Sequence, residues 1–197
     1  LFDIGAATIA AFNKRRGIDM LRDADLEAFV AYVADNYVVN PLKSFLNVAF
    51  PNSVYTQPAF ESEPDRRISY ARRATSRGQD PTGGERCVFT NEPVSSEWLS
   101  AKELDDKAKL SYPSGRAFRH NVPMLIGEDV INFHAGGDPG LPISGKAMLC
   151  IQAFPMGCAK VGGKLLAVHS DNPQITQAFA RRFLESNLRE VNLARQA

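Results

Sequence analysis

The chain has 197 residues, 44% of them hydrophobic and 23% charged, with a net charge of +1. That balance supports a core and excludes both a disordered chain and a protein that binds polyanions through bulk charge alone. Three cysteines, Cys87, Cys150 and Cys158, are too few and odd in number for a disulfide framework. No apolar run approaches the roughly 20 residues that cross a bilayer, so no membrane partner and a cytoplasmic setting are expected. The first residue is Leu1 rather than Met, which reads as a piece of a longer protein.

Ala6 to Arg16 has the composition of a first helix, stopped by Gly17. Asp23 or Asp25 caps a second, in which Leu26, Phe29, Val30, Val33 and Tyr37 recur at helical spacing. Asn40-Pro41 opens a third helix whose apolar stripe is Leu42, Phe45, Leu46 and Ala49. From 56 to 86 the chain is rich in Arg, Ser, Gly and Pro. Between Pro64 and Gly78 five arginines (Arg66, Arg67, Arg72, Arg73, Arg77) face one acid, Asp65. Such a segment is either a solvated surface or a set of phosphate contacts. Gln79 to Glu85 has loop composition, and Glu97 to Leu110 reads as a helix with Trp98 near its start.

The stretch from Asn121 to Asp171 is the least ordinary part, with short apolar runs broken by glycine and proline. Its pattern predicts a strand at Val130–His134, a glycine loop at Ala135–Pro142, and a short helix N-capped by Ser144 and ending near Ala153. A hairpin follows, Met156–Val161 and Lys164–His169 about a Gly162-Gly163 turn. Asn172-Pro173 then opens a long helix carrying Ile175, Phe179, Phe183, Leu188 and Val191, with Phe179 and Phe183 expected in the core. The resulting fold class is α+β: N-terminal helices, a small mixed sheet and a long C-terminal helix. The chain divides into a helical part (1–55), a loop-rich basic part (56–118), and a central α+β unit with the last helix (119–197).

Catalytic signatures are weak. A cysteine nucleophile with His120, His134 or His169 as base has no local motif behind it. Gly136-Gly137-Asp138 lacks the second acid of a two-metal turn, and Gly162-Gly163-Lys164 lacks the spacing of a phosphate-binding loop. A small cytosolic cysteine-dependent hydrolase or transferase stays open as the alternative function.

An ordered set of phrases carries a resemblance: Asp3-Ile4-Gly5, Phe50-Pro51-Asn52-Ser53, Cys87-Val88-Phe89-Thr90, Asn132-Phe133, Gly140-Leu141-Pro142, Gln152 to Gly157, and Leu165 to Asp171. In this order they resemble the large-subunit family of type I CRISPR Cascade complexes, in the branch named for a CXXC–CXXC pair. The match covers nearly the whole chain as the N-terminal part of a longer family member. In that family the two pairs look like a four-cysteine zinc site. Here their positions fall on Cys87, Thr90, Ser144 and Ala147, so one thiolate remains and a degenerate zinc-knuckle-like region without metal is expected.

The resemblance implies a non-catalytic subunit with no cofactor. Its implied partners are crRNA, target double-stranded DNA, other Cascade subunits and a helicase-nuclease effector. Its implied task is to bind target DNA near the PAM and assist duplex opening and nuclease recruitment. On that reading the candidate nucleic-acid contacts are Arg66, Arg67, Arg72 and Arg73 in the basic segment. Arg116, Arg119, His120 and Asn121 stand before the central unit, and Asn132, His134 and Lys146 around its glycine loop. Arginine and lysine suit phosphates and guanine edges, and asparagine suits an adenine edge.

Overall fold

The computed structural model describes residues 1–50, 53–56, 58, 62–65, 67–68, 71, 84–95, 98–99, 112–113, 115–117 and 141–196. Five helices lie among them: α1 (Phe2–Phe12), α2 (Asp23–Asn36), α3 (Leu42–Ala49), α4 (Gly145–Ala153) and α5 (Pro173–Gln196). Six short strands form three separate antiparallel ladders. β1 (Trp98–Leu99) pairs with β2 (Tyr112–Pro113), β3 (Arg116–Ala117) with β4 (Leu141–Pro142), and β5 (Ala159–Val161) with β6 (Lys164–Leu166). The fold is α+β with a long C-terminal helix, as expected. The small sheet takes the form of isolated ladders.

The first helix occupies the centre. Every residue from Ile4 to Ala10 is buried, because α4, α5 and the 3-10 turn Phe154–Gly157 all pack on it. Small residues make this possible. A Cβ built on Gly5 would lie 1.6 Å from the Cys150 carbonyl oxygen, so the α1 and α4 backbones touch where Gly5 has no side chain. At the next turn a Cβ on Gly157 would meet Thr8 Oγ1 at 2.1 Å. Thr8 in turn donates to the Ile4 carbonyl at 2.7 Å, so its buried hydroxyl is satisfied within the helix.

The α1 helix starts and stops earlier than the sequence pattern suggests. Asn13 ends it and Lys14 adopts φ 55°, reversing the chain. The reversal is pinned by Asp25, which is buried. Arg15 reaches its carboxylate with Nη2 at 2.7 Å and Nε at 3.1 Å, and the Arg22 backbone N–H donates to it at 2.8 Å. Asp25 therefore caps α2 from inside its first turn and anchors the end of α1 at the same time.

Leu42, Phe45, Leu46 and Ala49 are buried on α3, the stripe read from the sequence. Ser144 N-caps α4, accepting from Ala147 N–H at 3.3 Å, again as read. The hairpin is shorter than expected: Met156 and Gly157 belong to the 3-10 turn Phe154–Gly157 rather than to a strand, and only Ala159–Val161 and Lys164–Leu166 pair. Its turn is the predicted Gly162-Gly163, at φ 56° and 76°, a left-handed pair that matches strand twist.

Two expectations are corrected. Trp98–Leu99 is strand, not the start of a helix, because it pairs with Tyr112–Pro113; residues 100–110 lie outside the described residues. The buried face of α5 is Thr176, Ala180, Leu184, Asn187 and Val191, set against α1 and the 154–157 turn. Phe179 is 39% exposed and Phe183 only partly buried. Helix rotation is fixed by close approach to α1, which small Thr176 and Ala180 allow and phenylalanine does not. It is also fixed by Asn187, whose amide donates to the carbonyls of Met156 (2.8 Å) and Cys158 (2.9 Å). The strand read at Val130–His134 and most of the following glycine loop lie outside the described residues.

Gly5→Ala tests the central crossing. Glycine to alanine in an exposed helix gains about 0.5–1 kcal/mol; here the helices must separate or shift, and the expected loss is about 3 kcal/mol. The measurement is a chemical melt beside Gly84→Ala, where a Cβ meets nothing within 4 Å and stability should hold.

Candidate functional site

Three segments that are distant in sequence meet at the start of α4. Residues 85–95 form a tight loop: Cys87 N–H donates to the Glu92 carbonyl at 2.8 Å, and Asn91 N–H to the Cys87 carbonyl at 2.9 Å. Asn91 holds φ 56°, a conformation its short amide side chain tolerates. Val88 N–H then donates to the Pro142 carbonyl (3.1 Å) and Ile143 N–H to the Gly115 carbonyl (2.8 Å), so the loop, the β3–β4 ladder and the α4 N-terminus are stitched together.

Among these residues, Thr90 Oγ1 lies 3.2 Å from Ser144 Oγ, across 54 positions of sequence. Thr90 also contacts Glu92 Oε2 at 3.1 Å, while Ser144 Oγ accepts from Ala147 N–H. Cys87 is 3% exposed at the centre. Burial raises its thiol pKa. Hydrogen bonds from Thr90, from the backbone and hydroxyl of Ser144, and from the Phe89 backbone outweigh that, leaving the pKa below the ordinary value. The four positions paired by the CXXC resemblance thus come together in space.

They do not fit zinc. A structural site requires four strong donors, and here there are one thiol, two hydroxyls already engaged and the methyl group of Ala147. Among the described residues no group of three or more His, Cys, Asp or Glu is placed to hold a metal ion.

The remaining candidates fare differently. Lys146, on the first turn of α4, is partly exposed, with Nζ 3.9 Å from Glu92 Oε1. Arg116, in β3, is held by Glu85 at 2.5 Å, its side chain 11% exposed. Arg67 is corrected as a phosphate contact: it is buried and its Nε donates to the Ala34 carbonyl at 2.8 Å, which makes it a tie to the end of α2. Arg66, Arg72, Arg73, Arg119, His120, Asn121, Asn132 and His134 lie outside the described residues. Glu92, bonded to Thr90 and close to Lys146, was missed. An acid two residues beyond the last position of the first pair was the available signal.

The other thiols are set against chemistry. Burial pushes Cys150 up to about 12, an effect that nearby Lys146 only partly offsets. Burial pushes Cys158 up to about 12 as well, against the opposing pull of the N-terminal amine. His169, the described histidine, pairs with Asp3 (Nε2 to Oδ2, 3.0 Å) rather than with a cysteine. Together with Asp171 they line an open groove of about 400 Å³ between α1 and the start of α5.

These shifts set a pH dependence. An acid whose folded pKa is raised contributes stability below its unfolded value, about 8.5 for a thiol, and that contribution is lost as pH rises towards the folded value. Cys150 and Cys158 should therefore make the melting temperature fall between about pH 9 and about pH 12. Cys87 works with the opposite sign, gaining as pH rises through its lowered pKa. Cys158→Ala should flatten the alkaline limb measured by thermal melts across that range; an unchanged slope would show that the thiol does not titrate in this window.

No protein-family model, curated protein or solved structure matches the chain.

Proposed function

We propose that the chain is the N-terminal portion of a non-catalytic large subunit in a crRNA-guided antiviral surveillance complex. It binds target DNA near the PAM, assists duplex opening and helps present the complex to a helicase-nuclease. The observation that carries the reading is the convergence of Cys87, Thr90, Ser144 and Ala147. The loop that holds Cys87 and Thr90 meets the helix turn that holds Ser144 and Ala147 through the Thr90–Ser144 contact, 54 positions apart in sequence. Two further family-like phrases support it: Asp3-Ile4-Gly5 and Gln152 to Gly157 supply the two glycines at which α1 meets its neighbours. The cysteine-dependent hydrolase is disfavoured by the high pKa values of the Cys150 and Cys158 thiols and by the burial of all three.

In such a subunit the guide reads sequence and the protein reads the flanking motif and the backbone. Lys146 is the described candidate for a phosphate, being partly exposed and only loosely paired with Glu92. Arg72 and Arg73 belong to the same class by sequence, whereas Arg119 and Asn121 suit an edge contact.

The knuckle reading has its own test. Zinc–sulfur bonds of about 2.3 Å place tetrahedral sulfurs about 3.8 Å apart, close to the Thr90–Ser144 oxygen spacing of 3.2 Å. Elemental analysis should find little zinc in the parent. Thr90→Cys/Ser144→Cys/Ala147→Cys should bind about one zinc per chain and acquire a melting temperature sensitive to chelator. Failure of the triple variant to take up metal would remove the link to a four-cysteine site.

The function is tested on the complex assembled with its guide RNA. Lys146→Ala and Arg72→Ala/Arg73→Ala should weaken duplex binding equally for every flanking motif, lowering the salt slope by about one unit per lost contact. Arg119→Ala or Asn121→Ala should instead relax discrimination at one base position by about 1–3 kcal/mol. Titration of matched and mismatched flanking duplexes at two salt concentrations separates the two behaviours. If all of these variants bind like the parent, these residues do not touch DNA.

A further inference from the structure

A groove of about 450 Å³ lies between α3, β5 and α5. Helix α5 turns one face to it, since Phe183, Asn187 and Glu190 recur at steps of four and three. Helix α3 supplies Ser44 and Phe45, and β5 supplies Lys160. Phe45 and Phe183 give it apolar walls. Its volume falls in the range of small-molecule sites, roughly 300–1,000 Å³.

Among the described residues the lining carries two charges, Lys160 and Glu190; Lys43 of α3 and Arg182, Glu185 and Arg189 of α5 are not part of it. The two are not paired with each other. Lys160 holds Nζ 5.8 Å from the centre of the Phe45 ring and donates to Ser44 Oγ, with no carboxylate in ion-pair reach among the described residues. Glu190 has no ion pair among them either. The groove therefore presents one cation and one anion, which suits a ligand carrying both signs.

A buried amide adds a fixed acceptor. Asn187 is 3% exposed, and its Nδ2 donates to the carbonyls of Met156 and Cys158. Both amide hydrogens are thus spent on the core. Its Oδ1, without a partner among the described residues, is left to the groove that Asn187 lines. Glu190 and this oxygen accept hydrogen bonds, and an ammonium has three to give. On the other side Lys160 donates, and Ser44 Oγ, which accepts from Lys160, keeps its own proton to donate to a carboxylate.

We propose that this groove binds a small zwitterion, an α-amino acid with an apolar side chain. Its carboxylate rests on Lys160 and Ser44, its ammonium on Glu190 and Asn187 Oδ1, and its side chain between Phe45 and Phe183. The site is independent of the nucleic-acid reading.

Isothermal titration of the protein with L-phenylalanine, L-leucine, phenethylamine and 3-phenylpropanoate tests the assignment, because the last two each lack one charge. Phenylalanine should bind at least roughly tenfold tighter than either analogue. Lys160→Met should weaken phenylalanine by roughly tenfold and leave phenethylamine unchanged. Glu190→Gln should weaken phenylalanine by roughly tenfold and leave phenylpropanoate unchanged. Both side chains are exposed, so the unliganded variants should melt like the parent. Should a variant fold poorly, the analogue series on the parent still decides. Absence of binding by both amino acids at about 10 mM, above the weakest affinities of interest, overturns the proposal. Equal binding of phenylalanine and its two analogues overturns it as well, reducing the groove to an apolar slot. So does a phenylalanine affinity unchanged in both variants, which would place the ligand elsewhere.

Discussion

The structure depends on the contact between the backbones of α1 and α4 at Gly5 and the Cys150 carbonyl. Helices usually keep 8–10 Å between axes because side chains intervene. Where one side lacks a Cβ the approach tightens, and the elements that pack on α1 are then positioned by what can still reach it. The 154–157 turn fits because Gly157 sits on Thr8, and α5 fits because it presents Thr176 and Ala180 rather than its phenylalanines. A central helix buried over seven consecutive residues leaves no polar face, so its one buried hydroxyl, Thr8, is turned back on its own backbone.

Direction within this core comes from a few buried polar ties. Tyr37 donates to the Gln152 carbonyl at 2.5 Å, joining α2 to the end of α4, and Asn187 donates to two carbonyls just ahead of the hairpin. Arg67 secures the end of α2, and Asp25 binds the α1 terminus to the start of α2. Individually such bonds contribute about 1 kcal/mol net, but leaving any of these groups unpaired costs more. They therefore select one packing among the several that a core rich in alanine and leucine would accept. The cluster around Cys87 belongs to the same kind. It is held by hydroxyl and backbone hydrogen bonds, helped by the β3–β4 ladder and by the N-cap that Ser144 provides.

Much of this was legible in the sequence where one physical signal decides. The α3 stripe follows from spacing, the Ser144 cap from a hydroxyl ahead of an apolar run, and the hairpin turn from two adjacent glycines. Where a signal is shared between two outcomes, the sequence was ambiguous. Phe179 and Phe183 at helical spacing name an apolar face but not which of two faces is inside; steric access to α1 settled that. Arg67 sits in a run of arginines that reads as exposed, yet its stem crosses apolar ground to a free carbonyl at the end of α2. Trp98–Leu99 has helix-like neighbours in sequence and a β partner in space. Two-residue ladders carry almost no periodic signal, so their pairing is set by tertiary contact.

The cluster around Cys87 is built from short side chains, each with its own environment. Thr90 and Ser144 each engage their hydroxyl: Thr90 donates to Glu92, and Ser144 accepts from the Ala147 N–H. Ala147, fully buried against the core, has no such partner to satisfy and carries only a methyl group. Cys87 is buried beside them, and the polar groups of Thr90, Ser144 and the Phe89 backbone hold its thiol pKa below the ordinary value despite that burial. The loop at 85–95 is shaped by the two backbone bonds that Cys87 makes with Glu92 and Asn91, by the Arg86–Pro93 bridge, and by the packing of Cys87 and Val94 into the core.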